Sequence, residues 1–384
     1  MALSTSGRIG LAGAAVVGVA FGMARYAYGL TLPDIQEDLG LSELVLGLIA
    51  SATFAGYLAG LLLAGRLAAR HGSRAPTTVG GACGASGAVI VTLAQDSGLL
   101  AAGVILAGSA GGWAWAPYSD IVTRSLPLRQ QPRTLATITT GTSTGLAALG
   151  GLAVLAAVVS WRLVWTGIAL AAVASALVNL RLVPRTEAMP RPEKRPGVLS
   201  LVSVLKIPAA YSLVYFAVIV IYFTYAADVL DSGALPDAAV PVLYVVIGFT
   251  GMVGVGAGAF AQRVGSLRVA AICLATVGAA LALLGLASDS VTATVASACL
   301  FGMGYMTGSA VLAVWTAELA PERAGSAFTV CLVVGALSSV VAPALAGAVV
   351  PGLGLGPLLG VAAAVSLLSA AALVLYGFSR GCRR

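Results

Sequence analysis

Twelve apolar runs, each close to the length that crosses a bilayer, follow one another along this chain with only short breaks between most of them. They fall near residues 9–32, 43–66, 76–95, 98–123, 134–159, 161–182, 207–230, 238–262, 268–288, 291–317, 324–350 and 355–378, numbered here as spans 1 to 12. A helix needs about 20 residues to traverse the hydrocarbon core. The breaks carry turn and breaker residues: Pro33-Asp34, Gly72, Asp96-Ser97-Gly98, Pro127, Ser160, Pro236-Asp237, Gly265, Ser288-Asp289-Ser290, Pro321, and Pro351 to Pro357. Hydrophobic residues make up 59% of the chain and charged residues 9%, with a mean hydropathy of +1.00. Soluble domains are about a quarter charged. A surface so poor in charge faces lipid, where backbone polar groups must be satisfied within the protein, as in a helix. The expected class is an all-α membrane protein.

The charges orient the spans. Counting breaks alternately from the N-terminus, all but two of the 21 basic residues fall on the side of the N-terminus. The exceptions are Arg25, inside span 1, and Arg162, on the opposite side. Nine of the 14 acids, among them Asp34, Asp38, Asp96 and Asp228, lie on or near that opposite side. One miscounted span would erase the asymmetry. The bias of basic residues toward the cytoplasm therefore puts both termini there. The N-terminal run after Arg8 is too long for the core of a signal peptide and reads as a span. The net charge of +7 does not indicate a nucleic-acid partner, because the basic residues sit in short loops along one side. Residues 184–206, with Pro184, Pro190, Pro192 and Pro196 among basic residues, read as a cytoplasmic linker; its end, 197–206, is equally compatible with lying along the membrane interface. Cysteines 83, 273, 299, 331 and 382 show no CxxC spacing and read as small buried hydrophobes, Cys382 apart, which has too few residues after it for a prenylation signal. Arginine far outnumbers lysine, and Ala, Gly and Val abound, a composition that suggests a GC-rich bacterium.

The chain also repeats itself. Gly65-Arg66-Leu67-Ala68-Ala69-Arg70-His71-Gly72-Ser73-Arg74 returns 193 positions later as Gly258 to Arg268, with Arg263 and Gly265 in step with Arg70 and Gly72. Arg124 to Pro127 corresponds to Glu318 to Pro321, and Arg25-Tyr26-Ala27-Tyr28 can be laid on Tyr222-Phe223-Thr224-Tyr225. Two six-span halves result, 1–183 and 207–384, joined by the linker. Duplication of a membrane unit places the functional site between its copies.

These motifs resemble the major facilitator superfamily. Its loop between spans 2 and 3 carries G-x-L-A-D-R-x-G-R-R/K, which Gly65, Leu67, Ala68, Arg70, Gly72 and Arg74 match. Ala69 replaces the acid and Ser73 a basic residue, and Gln262 stands in the acid's place in the second copy. Pro321-Glu322-Arg323-Ala324-Gly325 is similar to the P-E-R-x-G signal before span 11, and Trp161-Arg162 to the W-R pair at the start of span 6. Phe21-Gly22-Met23-Ala24-Arg25-Tyr26-Ala27-Tyr28-Gly29, ending Leu32-Pro33, is similar to the YbfB/YjiJ-like branch. The resemblance implies twelve helices in two pseudo-symmetric halves and a secondary transporter working by alternating access. It implies that spans 1, 4, 7 and 10 line the cavity and that the acid replaced by Ala69 helps latch the halves on the cytoplasmic side. The weakened latch would lessen the bias toward the outward-open state.

Arg25 is the sharpest candidate. It lies eight positions before Pro33, about 12 Å inside the expected span end, where a charge costs at least about 2.5 kcal/mol. Tyr28 and Gly29 share its face, and Gly18 and Gly22 permit close helix approach. It either holds an anionic group such as a carboxylate or is a structural arginine satisfied within the bundle. In span 4, Trp115 and Tyr118 share a face; Asp120 is either a local ion pair with Arg124 or a proton carrier. In span 7, Tyr211, Tyr215, Tyr222 and Tyr225 recur at helical spacing before Asp228, the second candidate proton carrier, and Tyr305 lies in span 10. Such aromatic stripes serve packing as readily as binding. The expected substrate is a small organic anion or zwitterion, held by Arg25 and surrounded by Tyr28, Trp115, Tyr118, Tyr222, Tyr225 and Tyr305. The alternative within transport is efflux of amphiphiles, with Arg25 structural.

Span 5 carries Gly141-x3-Gly145 and Gly150-Gly151, which partly match an antiporter motif but lack its proline at Leu146 and read as small-residue helix packing. Gly141-Thr142-Ser143-Thr144-Gly145 formally matches the serine-hydrolase pattern G-x-S-x-G. The sole histidine, His71, lies in a cytoplasmic loop away from Ser143, so a catalytic pair is not expected. The chain shows no phosphate-binding G-x4-G-K-[ST] loop and no His/Cys cluster. No cofactor or metal is expected; the expected partners are a small molecule, the lipid bilayer and protons, and the expected state is a monomer.

Overall fold

The computed structural model describes residues 4–156, 159–188, 203–231, 235–236, 238–321 and 324–381. Among them, helices occupy each of the twelve expected places. Spans 2 and 3 are Glu43–His71 and Arg74–Thr92; spans 5, 6 and 7 are Gln131–Ala156, Arg162–Leu182 and Lys206–Asp231. Spans 9 to 12 are Ser266–Leu286, Val291–Leu319, Ala324–Leu353 and Leu355–Gly381. Among the described residues, eleven helices are long and apolar enough to cross a membrane. Span 3 is the least apolar, since Gly80, Gly81, Gly84 and Gly87 take places that larger side chains would fill. Its 19 residues still reach about 28 Å at 1.5 Å per residue.

Three spans are broken. Span 4 consists of Ser97–Gly112 and Trp115–Ser125, and span 8 passes through a 3-10 stretch, Met252–Gly256, between Ala239–Gly251 and Ala257–Val264. Span 1 departs furthest from a single rod. It runs as an α-helix over Thr5–Val17, widens to a π-helix over Gly18–Ala24, breaks at Arg25-Tyr26, and resumes as Ala27–Leu30 and Leu32–Leu39. Helical structure therefore continues past Pro33. It sits in the first turn of Leu32–Leu39, where its missing N–H is needed by no helical bond. The actual stop is Gly40, whose φ of +62° suits a left-handed C-terminal turn.

The chain divides into two compact units, Met1–Pro192 and Glu193–Arg384. Of the expected linker, residues 189–202 lie outside the described residues, as do Glu322, Arg323, Asp237 and Cys382. The first unit packs on glycine. Gly18 and Gly22 of span 1 face Gly141 and Gly145 of span 5 so closely that a Cβ on Gly22 would lie 2.6 Å from the Gly145 Cα. Gly56 and Gly60 of span 2 meet span 4 in the same way. Without a hydrophobic force between helices in lipid, such backbone approach supplies dispersion contact instead. The second unit packs on aromatics: Phe223 meets Tyr244, Phe301 and Tyr305 with ring centroids 5.0–5.8 Å apart, and Tyr222 stacks on Phe301 at 3.7 Å.

The repeat seen in sequence is also a repeat of backbone. Gly72 and Gly265 each end a helix with φ of +79° and +93°. Each donates its N–H to a carbonyl four residues back, Ala68 at 2.9 Å and Ala261 at 2.8 Å. Arg162, the basic residue on the opposite side, has a specific partner set. Its guanidinium donates to Asp38 at 2.7 Å and to the Ala94 carbonyl at 2.9 Å, and lies 4.3 Å from the Trp161 ring centre. The Trp-Arg pair thus ties the end of span 1 to the starts and ends of spans 6 and 3.

Candidate functional site

The break in span 1 builds the most unusual environment in the first unit. At the C-terminal end of its wide π turn stands Arg25, 4% exposed. Its guanidinium carbon lies 4.2 Å from the ring centre of Tyr57, 5.1 Å from Phe54, 5.5 Å from Phe21 and 5.6 Å from Tyr26. A desolvated cation over a ring gains about 2 kcal/mol. That is comparable with the ~2.5–3.5 kcal/mol that insertion of an arginine into the bilayer costs, so the rings make a buried cation tolerable here. Phe54 and Tyr57 are one turn apart on span 2, which places both rings against the same break.

The short segment beyond Arg25 is held on both sides. The Tyr28 hydroxyl donates to the Leu46 carbonyl of span 2 at 3.0 Å. Thr31 accepts from the Trp165 indole of span 6 at 3.2 Å and donates to the Ala27 carbonyl at 2.8 Å. Tyr28 thereby fixes the break to span 2 by its oxygen.

The span 4 candidates separate. Trp115 is half-buried against the cluster that contains Val16, Val17, Ala20 and Ala114. Tyr118 is fully buried, and its hydroxyl donates to Asn179 Oδ1 at 2.6 Å; Asn179 Nδ2 donates in turn to Thr77 at 3.1 Å. Tyr118 is thus the end of a polar chain across spans 4, 6 and 3. Asp120 is paired with Arg124 at 3.6 Å and accepts from the Ser73 hydroxyl.

The repeated loop adds a third connection. The Ser73 N–H donates to Thr186 Oγ1 at 2.8 Å, Arg74 donates to the Leu180 carbonyl at 2.8 Å, and Arg124 donates to the Glu187 carbonyl at 3.1 Å. The Thr186 carbonyl occupies the space where a Cβ on Gly72 would stand, so glycine is required there for two reasons, its φ and this approach. Arg70 is exposed, as are Gly65, Arg263 and Gly265, and Gly258 is half-buried.

In the second unit, the tyrosines of span 7 turn to neighbouring helices. Tyr222 shares a hydrogen bond of 2.9 Å with Ser297, which donates to the Ala280 carbonyl at 2.7 Å. Tyr225 donates to the Pro343 carbonyl at 3.1 Å, Tyr211 to the Gly308 carbonyl at 3.2 Å, and Tyr215 to the Tyr305 carbonyl. A phenol hydroxyl away from water needs an acceptor, and a helix carbonyl serves. Tyr305 is 4% exposed and packs by its ring on Phe301 and Phe223. Asp228 is 9% exposed, close to the end of span 7.

The family model of the Major Facilitator Superfamily matches residues 14–343. The chain belongs to this superfamily. Solved structures agree on the fold. The D-xylose-proton symporter is similar with 15% identity and a TM-score of 0.79, over 95% of this chain and 96% of that one. The nucleoside transporter NupG has 12% identity and a TM-score of 0.72, over 97% and 99%. The human organic anion transporter MFSD10 (TETRAN) has 17% identity and a TM-score of 0.71, over 97% and 100%. Among curated proteins, none matches the sequence. Membership makes this superfamily protein a membrane transporter of the secondary kind, and it implies transport rather than catalysis.

The hydrolase resemblance at Ser143 does not extend to its backbone setting. It is buried midway along an uninterrupted helix, Gln131–Ala156, whereas a nucleophile elbow needs a strand-to-helix turn. His71 is exposed at the C-terminal end of span 2. The sequence did not reveal Tyr57 and Phe54, because an aromatic within an apolar run carries no mark of what it faces. Asn179 was detectable in principle as an amide inside span 6, where an unpaired polar group is costly.

Proposed function

We propose that this superfamily member carries a small organic solute, anionic or zwitterionic, across the cytoplasmic membrane of a bacterium by alternating access, with both termini in the cytoplasm. The observation that carries the reading is the Arg25 guanidinium, 4% exposed and set among four aromatic rings at the break of span 1. A charge kept at such depth is functional by default, and a guanidinium binds carboxylates through charge-assisted bonds. The likeness of the string Phe21 to Gly29, followed by Leu32-Pro33, to the YbfB/YjiJ-like branch supports a reading within that branch. Asp120, which Ser73 and Arg124 engage, and Asp228 are the two candidate carboxylates for proton coupling.

The test is a thermal-shift screen of the purified protein with organic acids, amino acids, sugars and lipophilic cations, run beside Arg25→Gln. Organic acids or amino acids stabilise the native protein and fail on Arg25→Gln. Lipophilic cations stabilising both proteins equally would replace this reading with amphiphile efflux, Arg25 being structural.

A further inference from the structure

Resting on Arg25 as the anion-binding group, we infer that Tyr57, with Phe54, is a positioning residue that fixes the plane of the guanidinium and so selects planar carboxylates over tetrahedral oxyanions. Tyr57 is the nearest ring, 4.2 Å from the guanidinium carbon, and Phe54 follows at 5.1 Å. Both are 4% exposed, on the rigid helix Glu43–His71. The Tyr57 ring is itself braced. Phe21 meets it edge-on, with centroids 6.0 Å apart and planes at 78°. On the side of span 4, a Cβ on Gly111 would lie 3.3 Å from Tyr57 Cδ2 and 3.5 Å from Phe21. Glycine at 111 therefore leaves the two rings their place, two residues before the break at Trp113-Ala114.

A guanidinium has two π faces, and all five of its N–H donors lie in its plane. Rings attract it through their negative faces. With rings packed around the cation, an anion meets it at the edge, through parallel N–H···O bonds. A carboxylate keeps both oxygens in that plane. A phosphonate or sulfonate brings a third oxygen out of the plane and toward the negative ring faces, where it is repelled. Lysine cannot replace the arginine, because an ammonium is a point charge with no plane to orient.

The experiment measures affinities of the full chain in detergent for acetate, butyrate and benzoate against methylphosphonate, propylphosphonate and phenylphosphonate. Tyr57→Phe, Tyr57→Leu, Phe54→Leu, Arg25→Lys and Arg25→Gln are compared with the native protein. The native protein prefers a carboxylate over its phosphonate counterpart. Tyr57→Phe keeps that ratio, since the ring and not the hydroxyl faces the cation. Tyr57→Leu weakens carboxylate binding about tenfold, equivalent to about 1.4 kcal/mol, and narrows the ratio; Phe54→Leu does the same to a smaller degree and serves if Tyr57→Leu does not fold. Arg25→Lys loses the ratio along with most affinity. If both leucine variants keep affinity and ratio while Arg25→Gln abolishes binding, the inference is overturned and the anion reading stands. If Arg25→Gln binds as well as the native protein, or no carboxylate binds the native protein, the anion reading fails and takes the inference with it.

Discussion

Spans 1 and 7 hold matching places in the repeat, and they treat their polar residues in opposite ways. In span 1 the helix widens and breaks, and a cation stands at the break among two rings of span 1 and two of span 2. In span 7 the helix runs unbroken over Lys206–Asp231, and its tyrosines are tied to carbonyls or hydroxyls of spans 10 and 11. The cause is visible in the residues between. Gly18 and Gly22 let span 1 press its backbone on span 5, which leaves the polar residue to be accommodated by a change of helical winding. Span 7 has bulky Tyr, Phe, Val and Ile instead, which fill space and hold a regular helix. The matching spans of one repeated plan have thus diverged, one into a widened and broken helix and the other into a regular, hydrogen-bonded one. A π turn often marks a functional site; hydroxyl-to-carbonyl bonds mark cohesion.

The comparison breaks most severely at the glycine contact. Gly145→Leu drives a side chain into the Gly18 carbonyl, and we expect a loss of at least about 3 kcal/mol, as for strong overpacking, seen as aggregation in size-exclusion chromatography. Gly151→Leu, at an exposed site with open space around it, is the control and elutes as the native protein does. If both behave alike, close glycine packing does not distinguish the first unit. Next comes Arg25→Gln, with a ligand-affinity loss of about 10–100-fold from one charge-assisted hydrogen-bond set, read by calorimetry, and a melting temperature that does not fall.

Smaller effects sharpen the contrast. Tyr118→Phe leaves Asn179 Oδ1 without its 2.6 Å donor, and an orphaned buried acceptor costs about 1–3 kcal/mol. A lowered melting temperature with unchanged ligand affinity is the expected result; lost affinity at unchanged melting would return Tyr118 to the substrate. Tyr222→Phe keeps its stack on Phe301 and removes one interhelical hydrogen bond, about 0.6 kcal/mol. Binding that disappears with this hydroxyl would erase the division between the two spans.

The architecture was open to reading because lipid imposes simple rules. Run length and the placement of basic residues located the spans, and the paired glycines at 72 and 265 announced the repeat, later found as matched helix ends. The break in span 1 was hidden, since Pro33 offered a nearer stop and a π turn has no breaker residue of its own. Arg25 stood out because a charge in an apolar run always does. Its ring partners did not, because spacing within span 2 says which residues share a face but not which helix that face meets. The tyrosines of span 7 illustrate the converse: helical spacing showed that they line up, while only the neighbouring carbonyls show what their hydroxyls bind.

The most direct test of a caged guanidinium that holds the substrate is uptake of the tightest-binding carboxylate into proteoliposomes containing native protein, Arg25→Gln or Tyr222→Phe at equal density. We expect native and Tyr222→Phe proteins to accumulate it and Arg25→Gln to stay at the level of empty vesicles. Undiminished uptake by Arg25→Gln would contradict the account.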